Sequence, residues 1–597
     1  MSTKKFLPKE NAYSRGVSFY ITQNSIPNDV DTVEFYGFSE DCVIYQVHRN
    51  VSFPNVKKLI LKDEKYDLRF TNMNFPNVEW VESENPHYPS GKYLVKNGIL
   101  LNAFCQTPDA VIDMKGITGI SEEAFVGCQA KSMIHDEDLE ENLYFYSSFI
   151  NSGFLKSKPV NGKIKAGRIV IQLDPKADKV LINDPKEYCV DEHPKVEEAV
   201  QHRDLIIDAK DGVECDTALS FYSNAGFRSI ILKNFKEKEL SNISFFRRRR
   251  CTCAAQNIIL ENCSGYTTID GLLYTNSCSV MEDGLEDGLV LLNCPTYHSK
   301  DVILPDNCVG IERYAFINAK VDSIFIPKSV RYIGTGAFFQ CEAKKIIFEE
   351  GMALSHIPSN CFERCTNLER IRLPKIKCIT SEAFLGCINL KEVILPEGLE
   401  KILDSVFSMC GIFEITLPES LYNIQEQPTW PIKKVTVKNQ IPWNLLKSLI
   451  VSRGYPFVYD TLEITDGKNH VFLPKIMSEH NIAMFTALLQ KESPFKELDK
   501  LKPLYRYGKT PESQQDTAFQ EFKSGDKRIE NYLRKYSKDI VIRYAKDNMI
   551  DDAVFLIKNH LLSREAIEKL IEINDNPTIT AYLLDEEREN HTQQFSL

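Results

Sequence analysis

Seventeen cysteines and eleven histidines are the residues of this 597-residue chain best suited to chemistry, and their spacing decides what they can do. The densest thiol group is Cys251-Thr252-Cys253, followed by Cys263 and Cys278. A structural zinc site favours knuckles of two thiols roughly two to four residues apart, so C-x-C with two distant partners is a weak match. Cys361 and Cys365 stand four apart, yet each also holds a fixed place in a repeat, where a small apolar residue is wanted. The histidines fall at 48, 87, 135, 193, 202, 298, 356, 470, 480, 560 and 591, and none forms H-E-x-x-H. No G-x-S-x-G, phosphate-binding G-x-x-x-x-G-K-[ST] or kinase set is present. The expectation is therefore no enzyme, no catalytic residue, no metal and no cofactor.

What positions these residues is repetition. Between Leu304 and Val437 five segments carry L-x-x-L-x-L. They are Val321, Ile324, Ile326; Ala343, Ile346, Phe348; Leu368, Ile371, Leu373; Leu390, Val393, Leu395; and Ile412, Ile415, Leu417. The last apolar positions step by 22, 25, 22 and 22, and Pro327, Pro374, Pro396 and Pro418 follow four of them. A second constant, I-x-x-x-[ACV]-F-x-x-C, recurs as Ile333/Phe338/Cys341, Ile357/Phe362/Cys365, Ile379/Phe384/Cys387 and Ile402/Phe407/Cys410. Ile311/Phe316 opens the series with Ala319 in the cysteine place, and Ile120/Phe125/Cys128 is an isolated upstream copy. A unit this short cannot bury its apolar face alone and must stack on neighbours. Ile, Phe and Cys then point inward, the ring supplying area and the small residues letting coils touch.

These residues, with NLERIRLP…IKCITSEAFLGCINLKEVILP, closely resemble the BspA-type leucine-rich repeat family over 265–437 and in patches over 50–265. Asp270-Gly271-Leu272-Leu273-Tyr274, followed by Gly288 to Pro295, is similar to that family's hairpin insert, and Lys96 to Leu101 to a second copy. The resemblance implies a right-handed solenoid with a partner-binding role, often at a bacterial or protozoan surface. The expected fold is an α/β solenoid, a leucine-rich repeat array with a parallel sheet on its concave side. A small all-α domain of helical hairpins follows it.

Upstream, Phe53-Pro54-Asn55-Val56 and Phe75-Pro76-Asn77-Val78 match at an offset of 22. Strand triplets recur at Ala177, Val180, Ile182; Phe227, Ile230, Leu232; and Ala255, Ile258, Leu260, while 130–165 and 185–215 have no assignable register. The acidic run 281–288 lacks the ligand spacing of a calcium loop. After about residue 470 helical spacing takes over: a helix within 476–491, a polar connector with one more helix over 492–530, then two hairpins. The hairpins start at Ser537 and Ser563, each serine read as an N-cap, with stripes Val554, Phe555, Ile557 and Ile567, Leu570, Ile571. The domains are then 1–50 (N-terminal cap or first degenerate coil), 51–264 (degenerate repeats), 265–470 (regular repeats) and 471–597 (helical, read first as a cap over the end of the array).

Alternation along the strands turns a second set of residues to the concave face: Phe325, Lys345, Ile347, Arg370, Arg372, Glu392, Ile394, Glu414 and Thr416, with Ser323, Lys434 and Thr436. An apolar strip beside alternating charge suits a protein partner, whose identity the sequence does not name, any more than it names an oligomeric state. A net charge of -11 argues against nucleic acid, and the run Arg247 to Arg250 reads as a solvated loop. No apolar stretch follows Lys4 and Lys5, and none reaches membrane-spanning length, so no membrane partner is expected. The expected location is cytoplasmic, with export by a non-classical route as the alternative. The main function expected is a non-enzymatic scaffold. Its alternatives are an adhesin-like surface protein and an effector whose helical domain carries the activity.

Overall fold

The computed structural model describes residues 5–6, 13–15, 18–35, 43–62, 66–105, 107–139, 146–184, 187–189, 203–211, 226–236, 253–276, 288–298, 301–427, 429–438, 441–442, 444–450 and 460–594. Two compact units result, 1–279 with 295–298, and 280–294 with 299–597.

In the first unit the 22-residue offset becomes a strand register. Lys58–Leu61 pairs in parallel with Trp80–Ser83, Leu59 opposite Val81, and Thr32–Phe35 pairs on the other side. Phe53 and Phe75, which open the two matching segments, pack with centroids 5.4 Å apart. The three later triplets fall on parallel strands Lys179–Ile182, which Ala177 just precedes, Phe227–Lys233 and Ala255–Glu261. Asp204–Asp208, from the stretch without assignable register, fills the gap between the first two of them.

The expected hairpin inserts are present as antiparallel pairs, Leu94–Lys96 with Ile99–Asn102 and Tyr266–Ile269 with Leu272–Thr275. Each turn has two positive φ values, Asn97 at 49° and Gly98 at 82°, and Asp270 at 51° and Gly271 at 82°. That is the tight turn whose twist matches the strands it joins. A third pair, Lys163–Ala166 with Ile169–Leu173, begins inside the unread stretch.

The second unit is built from strands and turns until the helices begin. Its first wall comprises β1 (Val302–Ile303), β2 (Ser323–Ile326), β3 (Lys345–Phe348), β4 (Arg370–Arg372), β5 (Glu392–Ile394), β6 (Glu414–Leu417), β7 (Lys434–Val437), β8 (Thr461–Thr465) and β9 (His470–Pro474). Pairing is parallel except between β8 and β9, and the ladder runs in three sections, β1–β3, β4–β5 and β6–β9. The 25-residue step falls at the first break. Leu289–Asn293, read as part of the hairpin insert, is a strand that also pairs in parallel with Cys308–Ile311. Among the described residues of 302–437 no α-helix occurs, and the described α-helices follow it.

The second wall has two-residue strands, Tyr332–Ile333, His356–Ile357, Cys378–Ile379, Lys401–Ile402 and Asn423–Ile424. Between the walls lies an aromatic ladder. Phe316, Phe338, Phe362, Phe384 and Phe407 are fully buried and stacked, with successive centroids 5.0, 5.1, 4.9 and 5.8 Å apart. Trp430 continues it at 4.9 Å and donates its indole N–H to the Ile412 carbonyl. The cysteines sit beside this ladder: Cys365, Cys387 and Cys410 donate to the carbonyls of Phe338, Phe362 and Phe384 at 3.0, 2.9 and 2.9 Å. Of the fifteen L positions, Phe348 and Leu395 are only half-buried.

The α-helices among the described residues are α1 (Leu445–Leu449), α2 (Glu479–Leu489), α3 (Pro494–Asp499), α4 (Pro511–Lys523), α5 (Glu530–Lys546), α6 (Ile550–Lys558), α7 (Arg564–Ile573) and α8 (Pro577–Gln594). Ser563 caps α7 by accepting from Ala566 N–H. Ser537 caps nothing: it lies inside α5, and its hydroxyl donates to the Leu561 carbonyl at 3.0 Å. The apolar content of α5 to α8 forms one core with α4, including Ile557, Ile567 and Leu570. Ser513 of α4 donates to the Asp460 carbonyl and Thr517 meets Thr461, so the helices join the array at its last two strands.

Candidate functional site

Period-2 alternation buries Ile324, Ile346, Ile371, Val393 and Ile415 and leaves their neighbours on the outer side of the first wall. The register then sorts those neighbours into two columns. In one, Ser323 stands opposite Lys345, Arg370 opposite Glu392, and Glu414 opposite Lys434, which stands opposite Glu463. In the other, Phe325 stands opposite Ile347, Arg372 opposite Ile394, and Thr416 opposite Thr436. All nine expected face residues are on this surface; Phe325 and Ile394 are half-buried and the rest exposed.

The charged column neutralises itself along the stack. Arg370 pairs with Glu392 at 3.1 Å and Lys434 with Glu463 at 3.4 Å, while Ser323 donates to Asp301. Such exposed pairs contribute little stability, about 0–1 kcal/mol. Beside them runs the second column, with Phe325, Ile347 and Ile394 as its apolar members.

That column starts one strand earlier than the repeat pattern suggests. Ile303 of β1 lies directly opposite Phe325 and is 71% exposed, and Ile347 is 48% exposed. The sequence reading began its columns at Ser323 and Phe325; the sign available was Val302-Ile303-Leu304-Pro305, which also ends on a proline. Full burial of an isoleucine is worth about 1.5–3 kcal/mol, so this strip is the part of the face with most to gain from a partner. On the second wall the outward residues are Tyr332, His356, Cys378, Lys401 and Asn423, a polar mixture without such a column.

At its C-terminal end the face borders a cleft of about 200 Å³, lined by Glu414, Lys434, Asp460, Asp516 and Tyr544 among others. Arg543 clamps Asp516, which also accepts from the Tyr544 hydroxyl at 2.9 Å. Burial pushes the Asp460 carboxyl up to about 6. Sequence spacing gives no sign of this group, because it converges from a strand end and two helices.

The thiols show no zinc arrangement among the described residues. Burial pushes the Cys308 thiol up to about 11 and the Cys341 thiol up to about 12. Cys253 is buried and Cys263 donates to the Leu232 carbonyl; Cys251, Cys278, Arg247 to Arg250 and most of the acidic run 281–288 lie outside the described residues. One group could hold a metal ion by distance: His560, Glu586 and Glu589 offer ligand atoms within 4.8 Å of one another. The pair His560 Nδ1 to Glu586 at 2.7 Å already satisfies two of the three as a hydrogen-bonded pair.

No described helix is long and apolar enough to cross a membrane. None of the curated proteins matches the sequence. A leucine rich cell surface protein from Faecalibacterium prausnitzii is 15% identical, covers 69% of this chain and 94% of its own, with a TM-score of 0.25. A leucine-rich repeat protein from Eubacterium ventriosum is 12% identical, with coverages of 63% and 82% and a TM-score of 0.28. The pneumococcal vaccine antigen PcpA is 12% identical, with coverages of 80% and 93% and a TM-score of 0.24. The BspA type leucine rich repeat region matches residues 302–428 in six copies. The stacked coils carrying the exposed face are thus a BspA-type leucine-rich repeat array.

Proposed function

We propose that this chain is a non-enzymatic scaffold that binds a protein through the outer face of β1 to β7. The observation that carries the reading is the unbroken apolar column Ile303, Phe325, Ile347 on β1 to β3, followed on the next strands by the Arg370–Glu392 ion pair. Interfaces are anchored by exposed apolar side chains with charges around them, and an apolar column followed by charged neighbours suits such a role. The helical part acts as a cap: α4 and the buried Lys475 close the last coil, Lys475 donating to the Trp430 and Ile432 carbonyls at 3.0 and 2.7 Å. Exposure at a cell surface is the alternative place of action, tested by biotinylating intact cells.

The test is affinity capture with the parent chain and with Ile347→Glu, Arg372→Glu and Ile394→Glu. The reading expects each variant to fold as the parent does and to lose the parent's partners. Recovery of the same partners by all three removes the face from consideration.

A further inference from the structure

We propose that Cys105 and Cys128 are a peroxide-oxidisable pair that closes to a disulfide within the chain, Cys105 being the thiol that reacts first. The two stand in consecutive coils of the first unit. Gln129 N–H donates to the Cys105 carbonyl at 2.8 Å, and both cysteine side chains lie in one buried core cluster. That hydrogen bond joins the residue after Cys128 to Cys105 itself and holds the two backbones side by side, as a disulfide with its Cα separation of about 4.4–6.8 Å requires. Neighbouring coils therefore bring cysteines to bridging distance without moving the backbone.

The two thiols are unequal in access and in charge. Cys128 is fully buried, whereas Cys105 keeps 7% of its surface exposed. Cys105 donates only weakly, to the Thr107 carbonyl at 3.5 Å. The neighbouring Cys128 thiol and the nearby Lys92 ammonium draw the Cys105 thiol down, while that of Cys128 is driven up. Thiolate character and access together select the cysteine that peroxide attacks. The Cys365, Cys387 and Cys410 series is also placed in successive coils, but those thiols are 0–3% exposed and each holds a phenylalanine carbonyl.

The step balances with a peroxide as oxidant. The Cys105 thiolate attacks one peroxide oxygen, the O–O bond breaks, and the departing hydroxide takes up the proton that Cys105 had released. The product is a sulfenic acid on Cys105. The Cys128 sulfur then attacks the Cys105 sulfur, the S–O bond breaks, and the Cys128 proton leaves with the hydroxyl as water. Two thiols lose two electrons, and one peroxide becomes two waters.

Full-length protein treated with equimolar hydrogen peroxide, alkylated, digested without reductant and mapped by mass spectrometry tests this. The expected result is a Cys105–Cys128 linked peptide in monomeric protein, formed before oxidation of the half-exposed Cys378. In Cys128→Ser, dimedone should label Cys105. Both cysteines remaining alkylatable while Cys378 oxidises, or the link appearing only between chains, overturns the proposal. The parent map decides even if the variant fails to fold.

Discussion

Phe325 stands directly opposite Ile347 across the parallel pair β2–β3, and both side chains lie on the outer side of the array. Their inward neighbours Ile324 and Ile346 are buried at the same register. The outer pair is therefore replaceable without touching the core. We expect Ile347→Glu to change stability by no more than about 0.5 kcal/mol, as surface substitutions do, while abolishing partner binding. Urea unfolding and affinity capture on the same preparation separate the two effects.

The inner ladder behaves oppositely. Phe362 is fully buried between Phe338 and Phe384, at 5.1 and 4.9 Å. Phe362→Ala is expected to cost about 3–5 kcal/mol, and Phe362→Leu clearly less, because the cavity is smaller. In a stacked array the loss spreads to adjacent coils only, so hydrogen exchange should rise around residues 338–384 and stay unchanged in the first unit.

The turns around the ladder hold a strain that glycine relieves. Residues two before and two after each ring have positive φ: Tyr314 and Asn318, Gly336 and Gln340, Asn360 and Arg364, Glu382 and Gly386, Ser405 and Met409. Left-handed backbone costs a side-chain-bearing residue about 1–2 kcal/mol. Met409 is 57% exposed at φ 57°, so Met409→Gly should raise the urea midpoint, and Met409→Val should lower it.

Burial pushes the Lys475 amine down from 10.5 to about 7. Below pH 7 both folded and unfolded chains carry the proton and the penalty of burying the charge is complete. Between about 7 and 10.5 the unfolded chain binds the extra proton, so this residue's contribution to stability rises with pH. Thermal melts of the parent and Lys475→Met should show the parent gaining on the variant from pH 7 to 9.5. A constant difference across that range contradicts the assignment.

Truncation near residue 470 would cut β9 from β8 and strip α4 from the last coil. A chain ending there should expose a sheet edge and aggregate, as judged by size-exclusion chromatography. Loss of binding by such a truncation would report on the fold and not on a site in the helices.

The array was legible because its constraints recur: Ile, Phe and Cys every 22 residues name their own environment, and Asn97-Gly98 and Asp270-Gly271 announce their turns. What was missed lacks a local sign. Trp430 continues the ladder at a position where no I-x-x-x-A-F motif remains, and Ser537 mimics a cap while lying mid-helix because Glu530 to Tyr536 is equally helical. The left-handed turn positions are hidden because Arg364, Glu382 and Met409 are not residues chosen for that conformation. Ile303 was overlooked as the edge of a pattern that starts earlier than its clearest copy.

The central claim is that the outer side of the first wall is the binding surface. Hydrogen exchange of the full chain, alone and in complex with its captured partner, tests it most directly. The account predicts new protection over 302–303, 323–326, 345–348 and 370–372, with 356–357, 378–379 and 401–402 unchanged. Protection confined to those second-wall strands, or to the helices beyond residue 479, would contradict it.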